Sequence, residues 1–344
     1  MSVPPTADPA TVTPRAGARA RVLRGVRLVL TIGAVLVLVP GVIGHTVRDR
    51  SVPLALLSYI PLVPVGLAAA VLDLAFLGRC LPRPRFTLTL AGLAAAAWSA
   101  ALLTGTGPAA EPPSGRPEAR LLHWNVHWGG GKHRSAATWA ALKADIRARS
   151  PDVVVLSEAP PDGWLAELAE SEGWSFVGCG HAPGDTYWYR LYVFARGPVR
   201  MEWDRPVPNG HIMSVVVTLQ GRPVRVLVAD GESDPRLSRV ALLDAVTETC
   251  REGRRKGEPI DIVAGDFNTP GRSTGFDGLS ADGYRLASRS ARGWRGTFPA
   301  SCPLYDIDHV WLADGFRPRG CELFGSPASD HRGQLVVFEL PAPE

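Results

Sequence analysis

The chain opens on three long apolar stretches. Residues 28–44 carry no charge, residues 51–78 carry only Asp73, and residues 86–107 carry none. At 1.5 Å per residue, a helix needs about 20 apolar residues to cross ~30 Å of hydrocarbon. The second and third stretches meet that length, and the first does if Arg27 snorkels. Pro40, Pro61 and Pro64 lie inside these stretches, where neighbouring helices in a bilayer re-satisfy the freed carbonyls. The pattern predicts about three transmembrane helices. A cleaved signal peptide over 20–44 followed by a buried hairpin is the competing reading, but a soluble hairpin would show a polar face.

Residues 108–118, PAAEPPSGRPE, have no apolar periodicity and read as a semi-rigid spacer. Beyond them the pattern changes to short strands alternating with helices. Strands are predicted over 120–127, 152–156, 191–195, 212–219, 224–228, 260–264, 307–312 and 334–340. Helices are predicted over 135–149, with Trp139, Leu142 and Ile146 on one face, and over 237–251, with Val240, Leu243 and Val246. Helices flanking several β runs fit a layered α/β or α+β domain with a two-sheet core.

Composition sharpens this division. Of 344 residues 46% are hydrophobic and only 20% charged, and the apolar excess sits in 28–107. Such a chain has ample surface to bury, which excludes disorder of the whole. The net charge of +4 hides two halves. Residues 1–115 hold ten arginines against four acids, leaving a balance of −2 for the rest. The basic balance therefore belongs to the N-terminal part and marks no broad nucleic-acid face on the domain.

Arginine also orients the chain. Five precede the first stretch, Arg48 and Arg50 follow it, and Arg79, Arg83 and Arg85 follow the second. The positive-inside rule puts the tail and the second loop in the cytoplasm. The expected organisation is a basic cytoplasmic tail over 1–27, its first 20 residues disordered. A multi-pass membrane domain over 28–107, the 108–118 linker and an extracellular domain over 119–344 follow. Asp73, near a span end, is expected to reach the interface or to act within the membrane. No CxxC pair occurs, and Cys179, Cys250, Cys302 and Cys321 of the outer part can pair in three ways or remain thiols.

Candidate chemistry collects where the strands end. Asn125 closes LLHWN, Glu158 follows PDVVVLS, Asp266 and Asn268 follow IDIVAG, Asp308 lies in YDIDHVWL, and Asp330 and His331 lie in SDHRG. Strand ends on one rim converge on a shared crevice. Carboxylates and an amide there suit a hard cation, and an imidazole beside them can move a proton or hold a phosphoryl oxygen.

The ordered series WNV (124–126), SE (157–158), GDFN (265–268), IDHV (307–310) and SDH (329–331) resembles the endonuclease/exonuclease/phosphatase superfamily, in a membrane-anchored bacterial type. That superfamily includes pancreatic-type deoxyribonucleases, apurinic endonucleases, neutral sphingomyelinases and inositol polyphosphate 5-phosphatases. The resemblance covers about residues 119–340. It implies a four-layer α-β-β-α sandwich and cleavage of a phosphate ester with Mg²⁺ or Mn²⁺. By the same resemblance Asn125, Glu158 and Asp330 serve the metal. Asp266 orients the attacking water or binds metal, and Asn268 contacts phosphate. His331 is base or phosphate clamp, with its ring oriented by Asp308.

One position departs from the pattern. Asp230, in VLVADGESDPRLSR, stands where such proteins usually carry a His that contacts the scissile phosphate. An ionised acid repels that anion. Either Asp230 joins the metal site or another donor replaces the His, with Arg190, Arg236 and Arg239 as candidates by position. Tyr187, Trp188 and Tyr189 are candidates to line a substrate groove. The expected function is a membrane-anchored phosphoesterase acting on nucleic acid or on a lipid or inositol phosphate, with no obligate protein partner. The alternative is a non-catalytic surface-binding domain.

Overall fold

The strand registers pair twelve of the chain's β-strands into two six-stranded sheets. The computed structural model describes residues 14–81, 84–107, 115–180 and 190–342, with side chains from Arg19 onward. The first 13 residues, most of the Pro-rich linker and the Tyr187–Tyr189 cluster lie outside the described residues. The chain divides into two compact units, Met1–Val42 with Leu62–Ser99, and Ile43–Pro61 with Ala100–Glu344.

The first unit is helical. Helix α1 runs Pro14–Val47, so the expected disordered tail is already helical from Pro14. Its Arg19–Val47 part is long and apolar enough to span a membrane, and leucines and valines such as Val22, Leu28, Val29 and Leu36 stand exposed along it. The expectation of three spanning helices is corrected. The second stretch breaks at Tyr59–Pro61 into α2 (Val52–Ser58), which belongs to the second unit, and α3 (Leu62–Ala75). The residue before a proline is pushed out of the helical region, and Pro61 follows Ile60 at that break. The third stretch gives α4 (Thr87–Leu103), only 17 residues. Helices α3 and α4 meet through Gly66 and Gly92, where a Cβ on either would strike the other's carbonyl. Small residues permit that approach. Asp73 is fully buried and accepts from Thr89 N and Oγ1 and from Cys80 N, so it caps the start of α4.

The second unit contains the strands. They are β1 (Thr104–Thr106), β2 (Glu118–Asn125), β3 (Val153–Ser157), β4 (Ser175–Gly180), β5 (Arg190–Ala195), β6 (Val199–Val207), β7 (Gly210–Leu219) and β8 (Arg222–Gly231). They continue with β9 (Ile262–Asp266), β10 (Arg285–Leu286), β11 (Arg292–Trp294), β12 (Asp308–Leu312), β13 (Arg317–Phe324) and β14 (Gly333–Glu339). One sheet has the order β10-β12-β9-β8-β7-β6, the other β13-β14-β2-β3-β5-β4, and β1 pairs with β11. The two inner faces share a core of Leu121, Val155, Val193, Val215, Val226, Ala264, Val310 and Val336. The helix Ala136–Ala148 covers the outer face of one sheet through Trp139, Leu142 and Ile146. The helix Arg239–Arg255 covers the other through Leu242, Leu243 and Val246. This is the expected α-β-β-α sandwich.

The predicted core strands and both long helices are present. The helix Asp162–Glu172 and strands β4, β6 and β13 are additional. The five cysteines are all free thiols.

Residues 43–61, expected as a loop and the start of a span, pack within the second unit. Arg48 pairs with Asp277 at 2.8 Å. Asp49 accepts from Thr274 N at 2.7 Å and Oγ1 at 2.9 Å. The Tyr59 hydroxyl donates to the Asn268 carbonyl at 2.6 Å.

Candidate active site

Side chains alternate between the faces of a strand. On β8 the inner face carries Val224, Val226 and Val228, on β9 Ile262 and Ala264, and on β12 Val310 and Leu312. The same parity turns Asp230, Asp266 and Asp308 inward at one end of the layer. They are register partners, Asp230 with Asp266 and Asp266 with Asp308. Three carboxylates therefore stand abreast on neighbouring strands. Facing them, β2 ends at Asn125 beside Ser157 of β3.

Asn125 links the two sides. Its Nδ2 donates to Asp266 Oδ2 at 2.9 Å and to Glu158 Oε1 at 3.1 Å, while its Oδ1 accepts from His127 N at 2.9 Å. Glu158 follows β3 with φ at +46°, a left-handed conformation that costs a non-glycine residue about 1 kcal/mol. Such strain held by surrounding contacts is characteristic of functional positions. Asn268, at φ +47°, closes an Asx turn, its N donating to Asp266 Oδ1 at 2.9 Å. Its side chain donates to Gly231 O at 2.8 Å.

His331 is placed from the loop before β14. Its Nδ1 lies 2.9 Å from Asp308 Oδ2 and 3.9 Å from Asp266 Oδ2. The backbone holding it is fixed on both sides. Ser329 Oγ accepts from His331 N at 3.1 Å and donates to Asn125 O at 2.8 Å. Trp124 Nε1 donates to His331 O at 3.0 Å, and the Phe298 ring packs 4.8 Å from the imidazole.

Electrostatics follow from this crowding. Burial, then the Asp308 charge, push Asp266 up to about 7. Burial and the charges of Asp266 and Glu158 raise Asp230 well above the usual carboxylate range. Burial alone would lower the His331 imidazole, but the Asp308 charge and hydrogen bond outweigh it and raise the ring to about 10. Burial would raise Asp308, yet His331 outweighs it and holds that carboxyl below its ordinary range. Behind it, burial takes His123 down to about 4.

The donor set fits a hard divalent cation. Every close candidate ligand on the acidic side is oxygen, and such ligands are the preference of Mg²⁺ and Mn²⁺. Buried Asp308 Oδ1 has no hydrogen-bond partner among the described residues. Asp266, Asp308 and His331 each offer an atom within 4.8 Å of the others.

Not every expected residue converges. Asp330 turns away, with Oδ1 3.2 Å from His127 Nδ1, and lines a cavity of ≈ 610 Å³ with His127, Lys132 and His133. Successive side chains diverge, so inward His331 sends Asp330 outward. Arg190 is tied to Ala159 O at 2.9 Å, Pro160 O at 2.7 Å and Asp162 at 2.5 Å, bracing the segment after Glu158. Arg236 pairs with Asp234 at the surface. Arg239 is buried and donates to Asp234 O at 2.8 Å and Asn268 O at 3.3 Å, so it holds the Asn268 loop. Backbone carbonyls and Asp162 thus take up the guanidinium groups of Arg190 and Arg239, Arg236 lies at the surface, and Asp230 stands in register with Asp266. Sequence reasoning missed His123, whose Nδ1 lies 4.0 Å from Asp308 Oδ1, and Trp124 and Phe298 as supports of His331. An imidazole inside the apolar run LLHWN was the available signal for the first.

The sequence profile of the endonuclease/exonuclease/phosphatase family matches residues 122–331. No significant match was found among curated proteins. A family protein from Bacteroides thetaiotaomicron superposes with a TM-score of 0.54 at 17% identity, over 66% of this chain and 100% of that one. Mannosyl-6-phosphatase Bt3783 of B. thetaiotaomicron VPI-5482 gives a TM-score of 0.50 at 16% identity, over 64% and 99%. D. rerio TDP2 complexed with a single-strand DNA product gives 0.50 at 19%, over 64% and 99%. The match spans more than half of the chain and contains Asn125, Glu158, Asp266, Asp308 and His331, so the chain belongs to the endonuclease/exonuclease/phosphatase family.

Proposed function

We propose that the second unit is a divalent-metal-dependent phosphoesterase that α1 anchors in a membrane. The observation that carries this is the row of Asp230, Asp266 and Asp308 facing Asn125 and Glu158, with His331 held on Asp308. Glu158 and Asp266 would hold the ion, Mg²⁺ or Mn²⁺, with Asn125 orienting both carboxylates and Asp230 in register beside Asp266. When bound, the cation neutralises charge that builds on the phosphoryl oxygens.

The chain's own groups do the rest. Asp266 accepts a hydrogen bond from the attacking water and aligns it with phosphorus. With Nδ1 committed to Asp308, His331 presents Nε2 to the substrate. Its raised pKa brings it to the phosphate as a proton donor, the role of a phosphate clamp. Asn268 positions the same phosphate. Asp230 stands where a cationic or neutral donor would help the leaving group, so a substrate with a good leaving group suits this site. Structures sharing the fold include a sugar phosphatase and an enzyme holding a DNA product, which supports the reaction class and leaves nucleic acid and lipid or inositol phosphates as the substrates to compare.

For placement, the arginine-rich tail before α1 supports a cytoplasmic N-terminus. Residues 43–61 belong to the catalytic unit, so the chain enters Leu62–Ser99 from that unit and returns to it. With α1 as the one crossing, the unit that follows it then lies outside the cell.

The test is hydrolysis of bis-p-nitrophenyl phosphate by the full chain with Mg²⁺, Mn²⁺ or EDTA, followed by single- and double-stranded DNA, RNA, sphingomyelin and inositol phosphates. Metal-dependent turnover lost in His331→Ala supports the reading. No turnover with either ion, or turnover unchanged in the variant, sinks it. Asp230 in place of His favours one second reading, a binding domain without turnover. Retained binding of a panel member with no hydrolysis by wild type would establish that instead.

A further inference from the structure

The inward polar row does not stop at Asp230. Its register partner on β7 is His211. From neighbouring β6, Asp204 brings Oδ2 to 3.1 Å from His211 Nε2. The other sheet contributes Cys179 from its edge strand β4, on the side that faces the shared core. One ligand atom from each of Cys179, Asp204 and His211 lies within 4.8 Å of the other two. His211 and the Cys179 thiol are buried, while the Asp204 side chain is 35% exposed and opens the group to solvent. None of the three has a part in the phosphoester chemistry above.

We propose that Cys179, Asp204 and His211 form a second metal site, for a borderline divalent ion of the zinc type, that joins the two sheets at their β4 and β6–β7 edge. A thiolate, an imidazole and a carboxylate form a zinc donor set, whereas the oxygen-rich row around Asp266 suits harder ions. With bonds of about 2.0–2.3 Å, tetrahedral ligands stand roughly 3.3–3.8 Å apart. The Asp204–His211 pair is already that close, and the sulfur must move in by about 1.5 Å at most. Burial, then the Asp204 charge, push the Cys179 thiol up to about 12. The sulfur therefore keeps its proton until an ion displaces it, and each ion bound releases one proton from Sγ to solvent. Asp204 binds as the carboxylate and His211 as the neutral ring. Water takes the fourth position. The alternative is an Asp204–His211 ion pair beside an inert thiol.

The two readings separate by spectroscopy on the metal-stripped full chain in detergent, titrated with Co²⁺ while excess Mg²⁺ competes for the oxygen-rich site. The expected result is a near-ultraviolet sulfur-to-cobalt charge-transfer band that saturates at one equivalent and is displaced by Zn²⁺. The band disappears in Cys179→Ser and persists in Cys302→Ser, the exposed thiol. Asp204→Asn weakens Co²⁺ binding at least about tenfold. No band, or a band that survives Cys179→Ser, overturns the proposal. If Cys179→Ser does not fold, Asp204→Asn decides, because unchanged affinity there overturns it as well. The readout needs no phosphoesterase turnover, so it stands or falls apart from the reading of the Asp266 site.

Discussion

His331 Nδ1 sits 2.9 Å from Asp308 Oδ2, and this contact decides which ring nitrogen meets a substrate. Asp308→Asn keeps the shape but removes the carboxylate charge that holds the imidazole protonated, so the ring loses the positive charge with which it meets the phosphate. The expected result is a fall in kcat of about 10²–10⁴-fold with KM nearly unchanged. His331→Ala falls comparably, and the double variant is no worse than either single one, because the two residues act as a unit. Steady-state kinetics on an activated diester checks this. Additive losses would show that the pair does not work together.

Asp266 is predicted to be a site where activity and stability oppose one another. Its folded carboxyl titrates at about 7 against an ordinary value of 3.8. The folded state therefore holds a proton that the unfolded chain releases. Its stabilising contribution is complete below 3.8 and is lost as pH rises through about 7. Asp266→Asn removes that loss. In EDTA at pH 8 the variant should be more stable than wild type by roughly 1–4 kcal/mol, with the gap closing towards pH 4, while metal-dependent turnover disappears. Denaturant unfolding across that range reads the difference. Parallel pH profiles for the two proteins would contradict the origin assigned to the shift.

Much of this site is legible in the sequence because buried strands are continuous apolar runs. VVVL and IVAG announce β3 and β9, and the polar residue ending each run must sit at the rim. What stays hidden depends on pairing in space. Strand β6 reads VRMEWDRPV and lies at a sheet edge, with no residue of it buried, so it has no apolar run to mark it. The helix Asp162–Glu172 buries only Leu165, Leu168 and Ala169, a narrow stripe within a polar segment. Arg190 and Arg239 stand at the right distance along the chain to meet a phosphate, yet neighbouring carbonyls take up their guanidinium groups. The break at Tyr59–Pro61 lies within a stretch uniformly apolar in composition. Hydropathy alone reads it as one span.

That break places Tyr59 at the site rim. Its hydroxyl donates to the carbonyl of Asn268 at 2.6 Å, and its own carbonyl accepts from the Tyr305 hydroxyl at 3.0 Å. Tyr59→Phe deletes one hydrogen bond and keeps the ring. A net loss of about 1 kcal/mol in positioning corresponds to a drop of roughly fivefold in kcat/KM, with the melting temperature little changed. Arg239→Lys should add to it, since Arg239 Nε donates to the same carbonyl at 3.3 Å. Unaltered kinetics in Tyr59→Phe would mean that residues 43–61 dock without tuning Asn268.

The placement of the catalytic unit outside the cell can be read with one thiol. Cys302 is exposed, whereas Cys179 and Cys250 are buried and Cys80 and Cys321 are partly covered. A maleimide that cannot cross a membrane should label the wild-type chain on intact cells, and Cys302→Ser should lose that label. Permeabilised cells should give the same intensity as intact ones, because the reactive group already faces the medium. Labelling that appears only after permeabilisation would place residues 100–344 in the cytoplasm, reverse the orientation drawn from the arginines before α1, and turn the substrate panel from envelope and extracellular esters to intracellular ones.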